Sequence, residues 1–249
     1  MSRGKLGLIL LLLVCLGAPL VAHAQGEPSV TFNMGESGDP EQVSLALKIL
    51  FALTIITVAP TILLMTTSFV RVVIVLSFVR QAMGVRNMPP NQVIVGLALF
   101  LTIFIMTPVM QSVNSQALQP YLQEEIGEEK ALNEAVQPMR EFMFSHVREK
   151  DLRLLVNIAD HERPDNLEDV STMTLIPAFM ISELKMAFQI GFMIFVPFLI
   201  IDMVTASVLM TMGMLMLPPV IISLPFKVLL FVLVDGWHLV VGSLVQSFH

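Results

Sequence analysis

Four long stretches of apolar residues run through this chain, separated by polar ones. They cover residues 49–70, 91–110, 186–201 and 220–245. The first has 22 residues and the second 20, and neither contains a charged side chain. A helix needs about 20 apolar residues to cross the hydrocarbon layer of a membrane. The pattern therefore predicts an all-α integral membrane protein with four hydrophobic spans.

Proline lies inside or at the edge of nearly every apolar run. Irregular backbone within a membrane persists only where protein or a water-filled cavity shields it. Broken helices are typical of conduits and transporters rather than of passive anchors. We therefore expect helical hairpins with broken helices. The prolines concerned are Pro60, Pro108, Pro177, Pro197, Pro218, Pro219 and Pro225.

A polar segment separates the second apolar run from the third. Residues 111–174 contain thirteen acidic and six basic side chains, which is most of the charge of the chain. Apolar residues recur there at helical spacing, which predicts short amphipathic helices that Pro138 and Pro164 divide. These apolar residues are Leu118, Tyr121, Leu122, Phe142, Met143 and Val147.

Residues 1–24 have the pattern of a cleavable secretory signal. Arg3 and Lys5 precede a short apolar stretch, and Ala22-His23-Ala24 carries small residues where a signal peptidase cuts, between Ala24 and Gln25. The alternative is an uncleaved first span, for which the apolar stretch is short. Residues 25–249 then form a single membrane domain with 111–174 as a polar insert.

Charge placement predicts the orientation of the spans. Arg71, Arg80 and Arg86 lie after the first run with no acidic residue near them, which marks the cytoplasmic side. A cleaved signal independently puts Gln25 on the outer side. Both indicators place the insert, residues 111–174, outside the cytoplasm as a polar helical segment.

Composition excludes two classes of protein. The chain is 55% hydrophobic and 14% charged, whereas soluble domains carry about 25% charged residues. Lipid or partner subunits must therefore cover part of its surface. The net charge of −6 also excludes a nucleic-acid partner, because nucleic acids select basic surfaces.

Motifs for catalysis, metal binding or cofactor binding are absent from the sequence. It has no H-E-x-x-H, no G-x-S-x-G and no phosphate-binding loop. Ser182 and Lys185 match the S-x-x-K spacing of acylating enzymes by chance, since the companion motifs are missing. Asp202 and Asp235 lack the context of an intramembrane aspartyl pair. We expect no enzyme and no cofactor.

Charges within or beside the apolar runs are the stronger indication of function. A charge at the centre of a membrane helix costs about 2.5–3.5 kcal/mol, so such residues need partners. For Glu183 and Lys185 we favour pairing with a neighbouring subunit around a pore, with a purely structural role as the alternative. For Lys227 and Asp235, snorkelling from a helix end is the simpler interpretation, and Lys227 is also a candidate for an inter-subunit or structural charge.

Methionine is unusually frequent, with 18 residues, and four alternate around Gly213. Met210, Met212, Met214 and Met216 could all point one way in an extended or looped backbone, although not in a helix. Methionine is unbranched and deformable. The four either fill irregular gaps in the core or form a soft seal in a channel.

Three longer motifs give the sequence a family resemblance. Residues 177–185 read PAFMISELK, followed by AFQIGF at 187–192. Residues 217–227 read LPPVIISLPFK, and residues 67–80 read TSFVRVVIVLSFVR, followed by PPNQ at 89–92. Their order and content resemble the FliP family of type III secretion export-gate proteins.

The resemblance implies a function that the residue patterns alone do not give. Members of that family assemble in several copies with FliQ-like and FliR-like subunits into an inner-membrane channel for unfolded proteins. A methionine-rich loop seals the closed channel in the family, and Met210 to Met216 fall at the matching place. The signal peptide is typical of the flagellar branch, at the basal body, rather than of the virulence branch.

A stand-alone transporter for small solutes is the rival from another class. Such a transporter is also built on broken helices, but internal symmetry between its halves is expected. The two halves of this sequence show none, and four short apolar runs are too few to enclose a conduit without partner subunits.

Overall fold

The fold is known from a computed structural model, which describes residues 40–85, 88–159, 166, 169–214 and 218–248. Contacts divide the chain into two units, Met1–Ala52 and Leu53–His249. Of the first unit only helical residues 40–52 are described. Within the described residues every regular element is helical, so the all-α prediction is confirmed.

Nine α-helices and one π-helical turn make up the described part of the chain. They are α1 (Pro40–Met65), α2 (Phe69–Met83), α3 (Asn91–Val113), the π-helical turn (Asn114–Leu118), α4 (Gln119–Leu122), α5 (Glu128–His146), α6 (Glu149–Ile158), α7 (Thr172–Thr211), α8 (Pro219–Leu233) and α9 (Gly236–Gln246).

The first apolar run ends earlier than its hydrophobicity predicts. Helix α1 stops at Met65, and a new helix begins at Phe69. The hydroxyls of Thr66 and Thr67 donate to carbonyls of the preceding turn, which offers the backbone an alternative to continuing the helix. The predicted first span therefore ends at Met65, five residues earlier than predicted. Helix α2, which the sequence analysis did not predict, follows the break.

Helix α2 is the most enclosed helix in the second unit. Val72, Val75, Leu76 and Val79, at spacings of three and four residues, are 0–1% exposed. Together with Ala187 of α7 they form the centre of the larger hydrophobic core. A helix that buries residues at this spacing presents one continuous apolar face to its neighbour.

Close contact between α2 and α7 requires a glycine. A Cβ built at Gly191 of α7 would lie 2.5 Å from a ring carbon of Phe78, closer than such atoms approach one another. Phe78 in turn packs edge-on against Phe188, with ring centroids 5.4 Å apart. The absent side chain at Gly191 leaves the space that the Phe78 ring occupies.

A second core joins the polar segment to α7. Phe142 and Met143 of α5 are buried against Leu175 and Phe179 of α7. Helix α7 has 40 residues and thus a length of about 60 Å, twice the roughly 30 Å of a membrane's hydrocarbon layer. Its N-terminal part packs in this second core and its middle in the first.

The amphipathic interpretation of the polar segment is correct only in part. Phe142 and Met143 are buried as expected, but Leu118, Tyr121 and Leu122 are 44–71% exposed. Pro138 does not divide the segment, because α5 continues through it as one helix. Pro164 lies outside the described residues.

Proline breaks fewer helices than the sequence suggests. Continuous helices contain five of the seven prolines, namely Pro60, Pro108, Pro177, Pro197 and Pro225. The fourth apolar run is broken elsewhere, by a 63° bend between α8 and α9 where Asp235 has a φ of 50°. The remaining two prolines, Pro218 and Pro219, lie at the start of α8, where a helix begins as predicted.

Three helical segments in the described residues are long and apolar enough to cross a membrane. They are Leu47–Met65, Asn91–Leu122 and Thr172–Thr211. The bent pair of α8 and α9 adds a fourth if it is counted as one span. Hydropathy therefore located the spans but not their ends, since the third is 40 residues long rather than 16.

We predict that Gly191→Ala destabilises the fold while Gly96→Ala does not. Overpacking costs about 1–3 kcal/mol, which exceeds the roughly 1 kcal/mol by which alanine favours a helix over glycine. Gly96, inside α3, has nothing within 4 Å of its built Cβ and is the matched control. Thermal unfolding of both variants in detergent measures the difference. Equal melting temperatures would show that Phe78 moves aside freely.

Candidate functional site: two buried ion pairs and an exposed methionine turn

A buried ion pair joins α2 to α7. Arg71 Nε donates to Glu183 Oε2 over 2.8 Å, and the terminal Nη2 donates to Oε1 of the same carboxylate. The side chains are 2% and 0% exposed. A guanidinium fork on a carboxylate satisfies both groups at once, which a buried charge requires. Residues 112 positions apart in the sequence therefore meet at the centre of the fold.

The remaining surface of Arg71 is covered by residues that follow α9. Its Nη1 donates to the backbone oxygen of Ser247 over 2.8 Å and to the Ser247 hydroxyl over 3.0 Å. The ring of Phe248 lies over the guanidinium carbon at 3.8 Å from the ring centroid. The cation is thus enclosed by a carboxylate, a carbonyl and an aromatic face.

A polar contact beside this pair ties α6 to α7. The buried Ser182 hydroxyl lies 2.9 Å from Asp151 Oδ2 and accepts a hydrogen bond from the backbone N–H of Arg148. Lys185 makes no hydrogen bond to Ser182 in the described structure and is exposed. The S-x-x-K spacing therefore forms no nucleophile and base, and Ser182 orders the start of α6 instead.

A second ion pair joins α7 to α8. Lys227 Nζ donates to Asp202 Oδ2 over 2.5 Å, and the Ser223 hydroxyl donates to the other oxygen of that carboxylate over 2.5 Å. The Lys227 side chain is 5% exposed and that of Asp202 is 31% exposed. Lys227 lies in the middle of α8, so the interpretation that it snorkels from a helix end is wrong. Its pairing inside the chain fits the alternative of a structural charge.

Lys227 also lies close to the C-terminal end of α2. A Cβ built at Gly84, the residue that caps α2, would lie 3.9 Å from Lys227 Nζ. The C-terminus of a helix carries partial negative charge, which stabilises a cation nearby. Lys227 therefore lies where three helices meet. They are α8, which carries it, α7, whose Asp202 pairs with it, and α2, whose C-terminal end is nearby.

The two residues that we expected at a subunit interface have different surroundings. Of the two alternatives for Glu183, the structure favours the structural role. Arg71 pairs with Glu183 inside the chain, and no surface of Glu183 is left for a neighbouring subunit. Lys185, two residues on, is exposed and has no acidic partner among the described residues. It lies beside exposed Ile181, Leu184 and Phe188. Its interface role stays a prediction.

The three arginines assigned to the cytoplasmic side also differ. Arg71 is internal and paired, so it is not a free surface charge. Arg80 donates to Asn91 Oδ1 over 2.5 Å and thereby bridges the ends of α2 and α3. Arg86, like the cleavage position between Ala24 and Gln25, lies outside the described residues. The orientation stays a prediction.

The alternating methionines lie at the C-terminal end of α7 and in the turn that follows it, which together are called the methionine turn. Met210, Met212 and Met214 are 63%, 67% and 45% exposed, and Met216 lies outside the described residues. Gly213 has a φ of 75°, a left-handed conformation that glycine adopts without steric cost. Three methionines presented to the exterior are not filling gaps in the core of this chain.

A family model matches residues 52–244, more than three-quarters of the chain. It is the model of the FliP family. The chain belongs to the FliP family. The match includes both ion pairs and the methionine turn, whereas Ser247 and Phe248 lie beyond it.

Curated FliP relatives cover almost the same range. The flagellar biosynthetic protein FliP of Bacillus subtilis is 59% identical over 216 residues, which are 87% of this chain and 98% of that protein. The protein of the same description from Pectobacterium carotovorum is 52% identical over 83% of this chain and 80% of its own length. The protein of the same description from Caulobacter vibrioides is 44% identical over 100% of this chain and 92% of its own length.

Sequence reasoning missed part of this site. It treated Arg71 as a marker of orientation and Asp202 as a rejected aspartyl candidate, and it gave no role to Ser223, Ser247 or Phe248. An arginine inside an otherwise uncharged run of 22 or more residues was a usable signal for Arg71, because such a charge needs a partner. The described residues contain no group of three or more side chains able to hold a metal ion.

We predict that Glu183→Gln destabilises the chain strongly and Lys185→Gln does not. Removing one member of a buried ion pair leaves Arg71 uncompensated and costs about 3–5 kcal/mol. Substitution of an exposed lysine usually changes the free energy of unfolding by less than about 0.5 kcal/mol. Thermal unfolding in detergent and the amount of protein in the membrane measure both. A similar loss in both variants would contradict the assignment.

Proposed function

We propose that this chain is a core subunit of the flagellar type III protein-export gate. In the inner membrane at the flagellar basal body, several copies would form, with FliQ-like and FliR-like subunits, a channel through which unfolded proteins leave. The observation that carries the proposal is the extent of the family match. The alignment with this chain covers 80–98% of the length of relatives described as flagellar biosynthetic proteins. Their flagellar description favours this branch over virulence secretion.

The surface of the single chain supports assembly with other subunits. Large apolar side chains stay exposed along α3 and α7, although soluble monomers rarely expose broad apolar surfaces. Lipid can cover one side of a membrane helix, but the 40-residue α7 is too long to be covered by lipid alone. The exposed residues include Phe100, Ile103 and Phe104 on α3 and Phe188, Phe192, Ile200, Met203, Val204 and Val208 on α7.

Lys185 supports the same proposal from its charge. An exposed ammonium group among exposed apolar side chains of α7 is costly inside a membrane protein unless a carboxylate approaches it. We assign that carboxylate to a neighbouring subunit, because Glu183 is already occupied by Arg71. Lys185 would then contribute to recognition between subunits rather than to the stability of one subunit.

The methionine turn is proposed to seal the closed channel. Charged side chains would draw water and ions into a channel, and β-branched ones adapt poorly because their χ1 is fixed. Methionine has three rotatable bonds and an apolar tip, so a ring of methionines can close without water and reshape around a passing chain. Hydrophobic constrictions block ions by dewetting. The exposure of Met210, Met212 and Met214 and the turn at Gly213 suit this role.

Deletion of the gene should abolish export of flagellar proteins, which tests the proposal against the transporter alternative. Expression of the intact chain from a plasmid should restore both swimming and the appearance of flagellar proteins in the culture medium. Immunoblots of the medium and motility in soft agar are the measurements. Normal export in the deletion strain, with loss of uptake of a solute instead, would favour the transporter.

Replacing Met210, Met212 and Met214 together with alanine should make the assembled channel leak. Shortening three side chains opens the constriction while the buried ion pairs stay intact. Flux of ions and small dyes through complexes isolated with their partner subunits is the measurement. The control is Met193→Ala with Met203→Ala, since these methionines of α7 are equally exposed, at 72% and 63%. A tight triple variant, or an equally leaky control, would refute the seal.

A further inference from the structure

The segment after α9 closes the site of the first ion pair. Arg71 carries five N–H groups in a planar fork, and Glu183 accepts from Nε and Nη2. The hydrogen bonds from Nη1 go to Ser247, through its carbonyl and its hydroxyl. Without that residue a buried cation would have donors facing no acceptor, which is unfavourable in an apolar interior.

Phe248 extends the closure to the polar segment. Its ring lies over Arg71 of α2, is stacked 6.3 Å from the ring of Phe142, and lies 5.3 Å from the ring of His146, both of α5. It also packs against both hydrophobic cores. One side chain therefore contacts both α2 and the end of α5, a helix of the polar segment.

The backbone explains how this segment is held in place. Ser247 N–H donates to the carbonyl of Ser243, and Phe248 N–H donates to that of Val245, so the residues continue the last turn of α9. The Ser247 hydroxyl also donates to the carbonyl of Leu244, which is fully buried. The anchored end of α9 thus fixes the position of the carbonyl and ring that Arg71 meets.

We propose that Ser247 and Phe248 form a strap that completes the Arg71 site and fastens the end of α5 to the start of α2. The strap makes the packing of the polar segment and the state of the ion pair depend on one another. Displacement of α5 removes the aromatic face over Arg71, and disruption of Arg71 removes the contact that holds Phe248 against His146. Ser247 and Phe248 are positioning residues in this arrangement.

The proposal goes beyond the export-gate function and does not depend on it. The strap assigns the coupling between the polar segment and the buried ion pair to two residues outside the 52–244 range of the family match. Its test needs only the folded chain and no secretion assay, so failure of the strap and failure of the proposed function are distinguishable.

The test compares four variants of the full chain in detergent by amide hydrogen exchange. Phe248→Ala removes the ring, Phe248→Leu keeps apolar volume without an aromatic face, and Phe248→Tyr restores that face. Gln246→Ala is the matched control, because Gln246 is an exposed residue of the same helix end. Peptides covering residues 69–76 of α2 and residues 140–147 at the end of α5 report the two sides of the strap.

Phe248→Ala should accelerate exchange in both peptides by about tenfold, because local opening governs amide protection. Phe248→Leu should restore slow exchange in neither peptide fully, because leucine loses the cation–π contact with Arg71 and the ring contacts with Phe142 and His146. Phe248→Tyr and the control should match the unchanged chain. If Phe248→Ala does not fold, the comparison of exchange rates between Phe248→Leu and Phe248→Tyr still tests the proposal. Acceleration confined to α9, or leucine equal to tyrosine in the α2 peptide, would overturn the proposal.

Discussion

The buried pair of Arg71 and Glu183 is the constraint on which the rest of the structure depends. Two charges with 2% and 0% exposure persist in an apolar interior only if every partner is in place. That condition fixes α2 against α7 and fixes the end of α9 over the guanidinium. Three helices are therefore positioned relative to a single cation.

Helix α7 contacts the rest of the fold at three places along its length. Its N-terminal part shares a core with the polar segment, its middle packs on α2 near Gly191, and Asp202 holds Lys227 of α8. The charges of α7 that face inward are thereby neutralised, while apolar residues and Lys185 remain on the outside. A subunit whose buried charges are paired and whose exposed surface is largely apolar is suited to contact with membrane lipid and partner subunits, which supports the proposed assembly.

How much of the site the sequence predicts depends on the residue. The turn at Gly213 follows from local chemistry, because glycine adopts the left-handed conformation without steric cost. The exposure of the nearby methionines does not follow, since core filling was an open alternative in the sequence. The partner of Glu183 does not follow. Helical spacing places Glu183 and Lys185 on different sides of α7, but whether each side meets the core or a neighbour depends on helices more than 100 residues away in the sequence.

The sequence by itself determined that the chain is helical and suited to a membrane, where its polar segment lies, and which family it resembles. These properties are set by composition, hydrophobic runs and local motifs. Only the tertiary structure decided that α1 ends at Met65, that α5 runs through Pro138, and that Lys227 is buried. It also decided which charges pair, because a buried ion pair depends on distance in space, and separations of 112 and 25 residues leave no local pattern.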